Sequence, residues 1–96
     1  MTDTTAELEE LRGDVDRIDD SIAELIAERI ETAEAIAAVK SAEGTALVDE
    51  EREETVKSGF EDRFERAGLK PADGRSLAAF LIEIALDREQ AHEAGP

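Results

Sequence analysis

The chain carries 26 Asp and Glu against 11 Lys and Arg, so the residues to read first are cations that sit where the pattern asks for something else. Arg29 falls four residues beyond Leu25 on an apolar seam. Lys40 follows 11 residues later, and at about 100° per residue that returns it to within about 20° of the same helix face, roughly 16 Å away. Two long cationic side chains so spaced can grip opposite ends of a small anion. Each alone has an ordinary explanation: Arg29 snorkels to the helix edge or pairs with a carboxylate such as Glu28. Arg12 stands one residue past the seam position Leu11, and an exposed pair with Asp16 would account for it at about 0.3–0.5 kcal/mol. Asp49, Arg52 and Glu53 form a further group. Asp49 is a good N-cap residue, and Arg52 and Glu53 fit a solvated helix face. A short connection after Lys40 would nevertheless return this turn against the end of the first helix, adding an arginine and a hydroxyl-accepting carboxylate to the same anion site.

The elements that must position these groups are helical. Leu8, Leu11, Val15, Ile18, Ile22 and Leu25 step by alternating threes and fours, and the seam continues through Ile36 and Val39, with Ile26, Ile30, Ala33 and Ala37 widening it. The spacing predicts one helix over about 5–40, roughly 52 Å long. A second helix is expected over about 50–67, opened by Asp49, with Val56, Phe60 and Phe64 on its apolar face and Gly68 stopping it. A third is expected over about 71–92, with Pro71 in its first turn and Leu77, Phe80, Leu81, Ile84 and Ala85 as core face. No stretch alternates with period two, so the fold class is all-α, and 96 residues form one domain, 1–96.

A compact monomer of this size has a diameter near about 32 Å, so the first helix would outrun its own domain and leave apolar seam uncovered. The expectation is an intertwined antiparallel homodimer with the long helices paired. Arg12 is roughly 25 Å from Arg29 along one helix, too far to share a ligand in cis. With a two-fold axis near residue 23 or 24, Arg12 of one chain lies level with the interval between Arg29 and Lys40 of the other.

The formal net charge of −15 argues against nucleic acid and anionic membrane as partners. Zero cysteines exclude disulfides, thiolate metal sites and cysteine nucleophiles. The opening MTDTTAELEELRGDVD has neither a basic n-region nor an apolar h-region, and no apolar run reaches membrane length, so a cytoplasmic location is expected. The carboxylate-rich surface, with three lysines among the cations, fits a salt-rich habitat.

The stretches ELRGDVDRIDDSIAELIAERIETAEAIAAVK and VDEEREE, and more loosely FLIEIALDREQ, resemble the all-helical class of chorismate mutase. The resemblance spans Glu10 to Gln90, ungapped through Glu53. It implies a homodimer that turns chorismate into prephenate in phenylalanine and tyrosine biosynthesis, with no metal or other cofactor. Carried over, it implies that Arg29 and the partner's Arg12 bind the two substrate carboxylates and that Lys40 bonds the ether oxygen and a carboxylate. Arg52 orients the carboxylates, and Glu53 and Asp49 take the ring hydroxyl. On the third helix the family pairs a small polar residue with Gln or Glu four positions later. Aligning Phe80 places Asp87 at the first position and Ala91 at the second, aligning Gln90 places Leu86 at the first, and Gln90 is preferred as the ether-side amide, with a helix shift of one residue between the two motifs. Two other readings stand beside the mutase: isochorismate pyruvate lyase on the same fold, and a non-catalytic helical dimer module.

Overall fold

A computed structural model describes residues 4–45 and 48–93. Its elements are α1 (Thr4–Ala42), α2 (Glu50–Arg66) and α3 (Pro71–Glu93), and the described residues contain no strand.

Each boundary has a local cause. α1 and α2 both end in a glycine with positive φ, Gly44 at 72° and Gly68 at 79°, a left-handed conformation that a side chain disfavours. Around Gly44 the Thr45 N–H donates to the Lys40 carbonyl at 2.8 Å and the Gly44 N–H to Ser41 at 3.1 Å. Around Gly68 the Leu69 N–H donates to Phe64 at 2.8 Å and the Gly68 N–H to Glu65 at 3.0 Å. Both are Schellman closures that satisfy orphan carbonyls. α2 opens on Asp49, whose side chain accepts from the Arg52 backbone N–H at 3.1 Å, and Glu50, Glu51 and Glu53 occupy its first turn, where the helix dipole favours negative charge.

α3 is the shared element. It packs on both α2 and α1, whereas no Cα of α1 lies within 8 Å of a Cα of α2. Gly74 makes the α2–α3 crossing possible: a Cβ there would lie 2.5 Å from the Phe60 carbonyl oxygen and 2.8 Å from the Phe64 ring. Arg75 then clamps the pair, donating to both Glu54 oxygens at 2.9 and 2.7 Å and to Glu61 at 3.2 Å. Arg88 ties α3 to Glu34 of α1 at 2.9 Å.

The core is small: Ile30, Ala78, Leu81 and Ala85 are the buried hydrophobic residues. The stripe Gly74, Ala78, Leu81, Ala85 steps by 4, 3 and 4, as one helix face requires. Phe80, expected on that face, is instead 57% exposed, because it sits about 200° around the helix from Ala78.

The seam on α1 is uncovered. Leu8, Leu11, Val15, Ile18, Ile22 and Leu25 are all at least 45% exposed. The radius of gyration is 18.1 Å, against about 12.5 Å for a compact chain of this length, and the longest extent is 67 Å.

Candidate active site

Because α3 separates α1 from α2, a cleft opens between them, floored by α3. It encloses about 510 Å³. From α1 come Leu25, Glu28, Arg29, Thr32, Ala33, Ile36, Ala37 and Lys40; from the start of α2 come Asp49, Arg52, Glu53 and Val56; from α3 come Ile82, Ala85, Leu86 and Glu89. The cavity therefore combines an apolar floor with three cations and several carboxylates, a lining suited to an anion that also carries a hydroxyl and an apolar ring.

The cavity cations are not engaged in ion pairs. Among the described residues the salt bridges are Arg17–Asp14, Arg75–Glu54, Arg75–Glu61 and Arg88–Glu34. Arg29, Lys40 and Arg52 belong to none of them, and Arg29 does not pair with Glu28. In a chain with more than two acids per cation, three unpaired cations on one concave surface are poorly explained by stability, since a pairing partner is nearly always at hand. Arg29 is half-buried, and its guanidinium carbon lies 5.9 Å from the centre of the Phe60 ring, within cation–π range. Burial, followed by repulsion from Arg52 and Arg63, holds the Arg29 pKa below its ordinary value. Three guanidiniums thus lie close enough to act on one another across this part of the cleft. Asp49 serves twice: it caps α2 through the Arg52 N–H and lines the cavity. Thr32 donates its hydroxyl to the Glu28 carbonyl at 2.8 Å.

Of the residues singled out in the sequence, Arg29, Lys40, Asp49, Arg52 and Glu53 converge on this cavity. Arg12 does not; it is exposed on the projecting part of α1. Asp87 and Gln90 also lie outside the cavity and are exposed. α3 instead presents Ala85 and Glu89, four residues apart, with Ile82 and Leu86 between the core stripe and the cleft. At Asp87 the discrepancy follows from aligning Phe80 as core, which rotates the expected inner face of α3 away from the observed one; at Gln90 it follows from the one-residue shift set between the two motifs, and both pass over Glu89, on the i, i+4, i+7 line of Ile82 and Leu86. That line was the available signal.

Among the described residues, no group of three or more His, Cys, Asp or Glu side chains is suited to a metal, and no helix is long and apolar enough to cross a membrane.

The family described as chorismate mutase type II matches residues 11–90, a span that takes in every cavity residue. The chain belongs to the chorismate mutase type II family. Comparison with curated proteins and with solved structures gives no significant match.

Proposed function

We propose that this protein is a chorismate mutase, catalysing the intramolecular rearrangement of chorismate to prephenate that feeds phenylalanine and tyrosine synthesis in the cytoplasm. The observation that carries the reading is the convergence of Arg29, Lys40 and Arg52, none held in an ion pair, on one cavity with Glu53.

Chorismate is a dianion with a ring hydroxyl and an ether oxygen. Its rearrangement breaks a carbon–oxygen bond as a carbon–carbon bond forms, within one molecule. The protein's tasks are then to hold the compact conformer and to place donors where negative charge grows on the ether oxygen. Arg29 binds one carboxylate through a guanidinium fork. Arg52 orients the carboxylates, Lys40 donates to the ether oxygen, and Glu53 and Asp49 accept from the ring hydroxyl. On α3 we assign the ether-side position to Glu89 rather than Gln90, because Glu89 lines the cavity.

The functional unit in this reading is an antiparallel homodimer of the single domain 1–96. The uncovered apolar seam of α1 supports it, since monomeric proteins rarely leave so long an apolar surface in water. A second copy laid antiparallel along the seam brings its Arg12 towards the cavity to bind the second carboxylate.

The test is to incubate the purified protein separately with chorismate and with isochorismate. Prephenate from chorismate is expected; pyruvate from isochorismate alone would identify the lyase instead, and turnover of neither would point to a non-catalytic dimer. Lys40→Ala should lower kcat by about a hundredfold or more, near 3 kcal/mol in the barrier, with unchanged helicity by circular dichroism.

A further inference from the structure

Further along α2, a second cavity of about 400 Å³ adjoins the first. Its lining includes Arg29, Arg52, Thr55, Gly59, Phe60 and Arg63, and no carboxylate. Arg29 and Arg52 belong to both cavities; Arg63 belongs to this one.

An arginine in the last turn of a helix is ordinarily explained by the helix dipole, and Arg63 is in the last turn of α2. Its guanidinium lies elsewhere. It reaches back one turn, 5.4 Å from the centre of the Phe60 ring, and its Nη1 would be 3.0 Å from a Cβ at position 59. Glycine at 59 thus leaves the space that Arg63 occupies. Phe60 has both the Arg63 and Arg29 guanidiniums within cation–π range, which holds two like charges near one another. None of the three arginines is in a salt bridge among the described residues, although acids outnumber cations by 26 to 11. Burial lowers the Arg29 pKa most, and the nearby Arg52 and Arg63 guanidiniums lower it further. The Thr55 hydroxyl is spent on the Glu51 carbonyl at 3.0 Å, so the donors available to this cavity are guanidinium N–H groups. A fitting ligand needs acceptors and negative charge, and no donor of its own.

We propose that Arg29, Arg52 and Arg63 form a second anion site, beside the chorismate cavity, that takes a compact monoanion of the halide or small-carboxylate class. Because two guanidiniums are shared, an anion here draws them from the main cavity and places like charge beside it. Occupancy of either site therefore weakens the other, reciprocally. The site stands on its own geometry; its antagonism to chorismate rests on the mutase reading.

The experiment is a chlorine NMR linewidth titration of the purified protein with sodium chloride, without substrate, for the wild type and Arg63→Leu. Saturable broadening is expected in the wild type. In Arg63→Leu, with helicity retained, affinity should fall about tenfold or more, the loss of one charge-assisted hydrogen bond; Arg63→Gln serves where leucine perturbs the fold. Acetate that displaces chloride at concentrations below chloride's own identifies a carboxylate site, and acetate that does not identifies a halide site. Equal broadening in wild type and variant overturns the proposal. In steady-state assays, chloride should raise the KM for chorismate more steeply in the wild type than in Arg63→Leu, with kcat unchanged, and parallel curves would overturn the antagonism. Should the protein turn over no chorismate, the mutase reading fails while the linewidth comparison still decides the site.

Discussion

Partial burial and the guanidiniums of Arg52 and Arg63 all depress the Arg29 pKa, yet an arginine stays protonated throughout the physiological range. The result is a cation that water solvates poorly and that gains from an arriving carboxylate. Glu89 poses a different problem. An ether oxygen only accepts, so a carboxyl group can donate to it only while protonated, whereas an amide donates at every pH. Glu89→Ala should cut kcat by about a hundredfold, while Gln90→Ala, outside the cavity, should leave kcat within a few-fold of wild type. Equal losses in Glu89→Ala and Gln90→Ala would place the ether contact elsewhere on α3.

Among the elements, α3 does the positioning, and two contacts with α2 set where it sits. Gly74 lies against the Phe60 carbonyl so closely that a methyl group has no room. The obstacle is backbone, which cannot rotate aside, so Gly74→Ala should destabilise by about 1–3 kcal/mol despite alanine's better helix propensity, seen as a lower thermal midpoint. The second contact is Arg75 with Glu54. The hydrogen bond from Arg75, with a smaller contribution from its charge, holds the Glu54 pKa below the ordinary range. A carboxyl whose folded pKa is depressed adds stability that is complete above its unfolded value, about 4.3, and is lost as pH falls through the folded value. Wild type should therefore unfold at a higher temperature than Glu54→Gln at neutral pH, and the gap should close in acid. A gap that persisted well below the carboxylate range would mean that the pair adds nothing by charge. Both contacts act at a distance from the cleft, since shifting α3 shifts the floor that carries Glu89.

At the scale of the molecule, the principal fact is a 39-residue helix in a chain too small to cover it. Six apolar side chains between Leu8 and Leu25 are at least 45% exposed, and Arg12 lies among them, outside the cavity of its own chain. Mixing an Arg12→Ala chain with an Arg29→Ala chain tests whether one arrangement answers both facts. Neither homodimer has an intact site, but half of a statistical mixture is heterodimer with one intact site of two, so about a quarter of wild-type activity should return. Demonstrated heterodimers without recovery would show that Arg12 does not act across subunits.

The amino-acid pattern by itself specified three helices, because alternating steps of three and four, an Asp cap and two terminal glycines are local signals that act through neighbouring residues. It also marked Arg29 and Lys40, since a cation on an apolar stripe is anomalous wherever the stripe folds, and Asp49, Arg52 and Glu53, since a short connection returns their turn to the end of α1. The rotation of α3 was settled only in the tertiary structure. Leu77, Phe80, Leu81 and Ile84 can turn several apolar faces inward, and a buried glycine against the Phe60 backbone, a contact between residues far apart in sequence, selected the face that sends Glu89 into the cleft and leaves Phe80, Asp87 and Gln90 outside. The pairing of Arg63 with Gly59 and Phe60 is likewise a matter of where a long side chain lies, which residue spacing does not encode. Local periodicity dictates the elements; the small set of close approaches between them dictates which side chains meet.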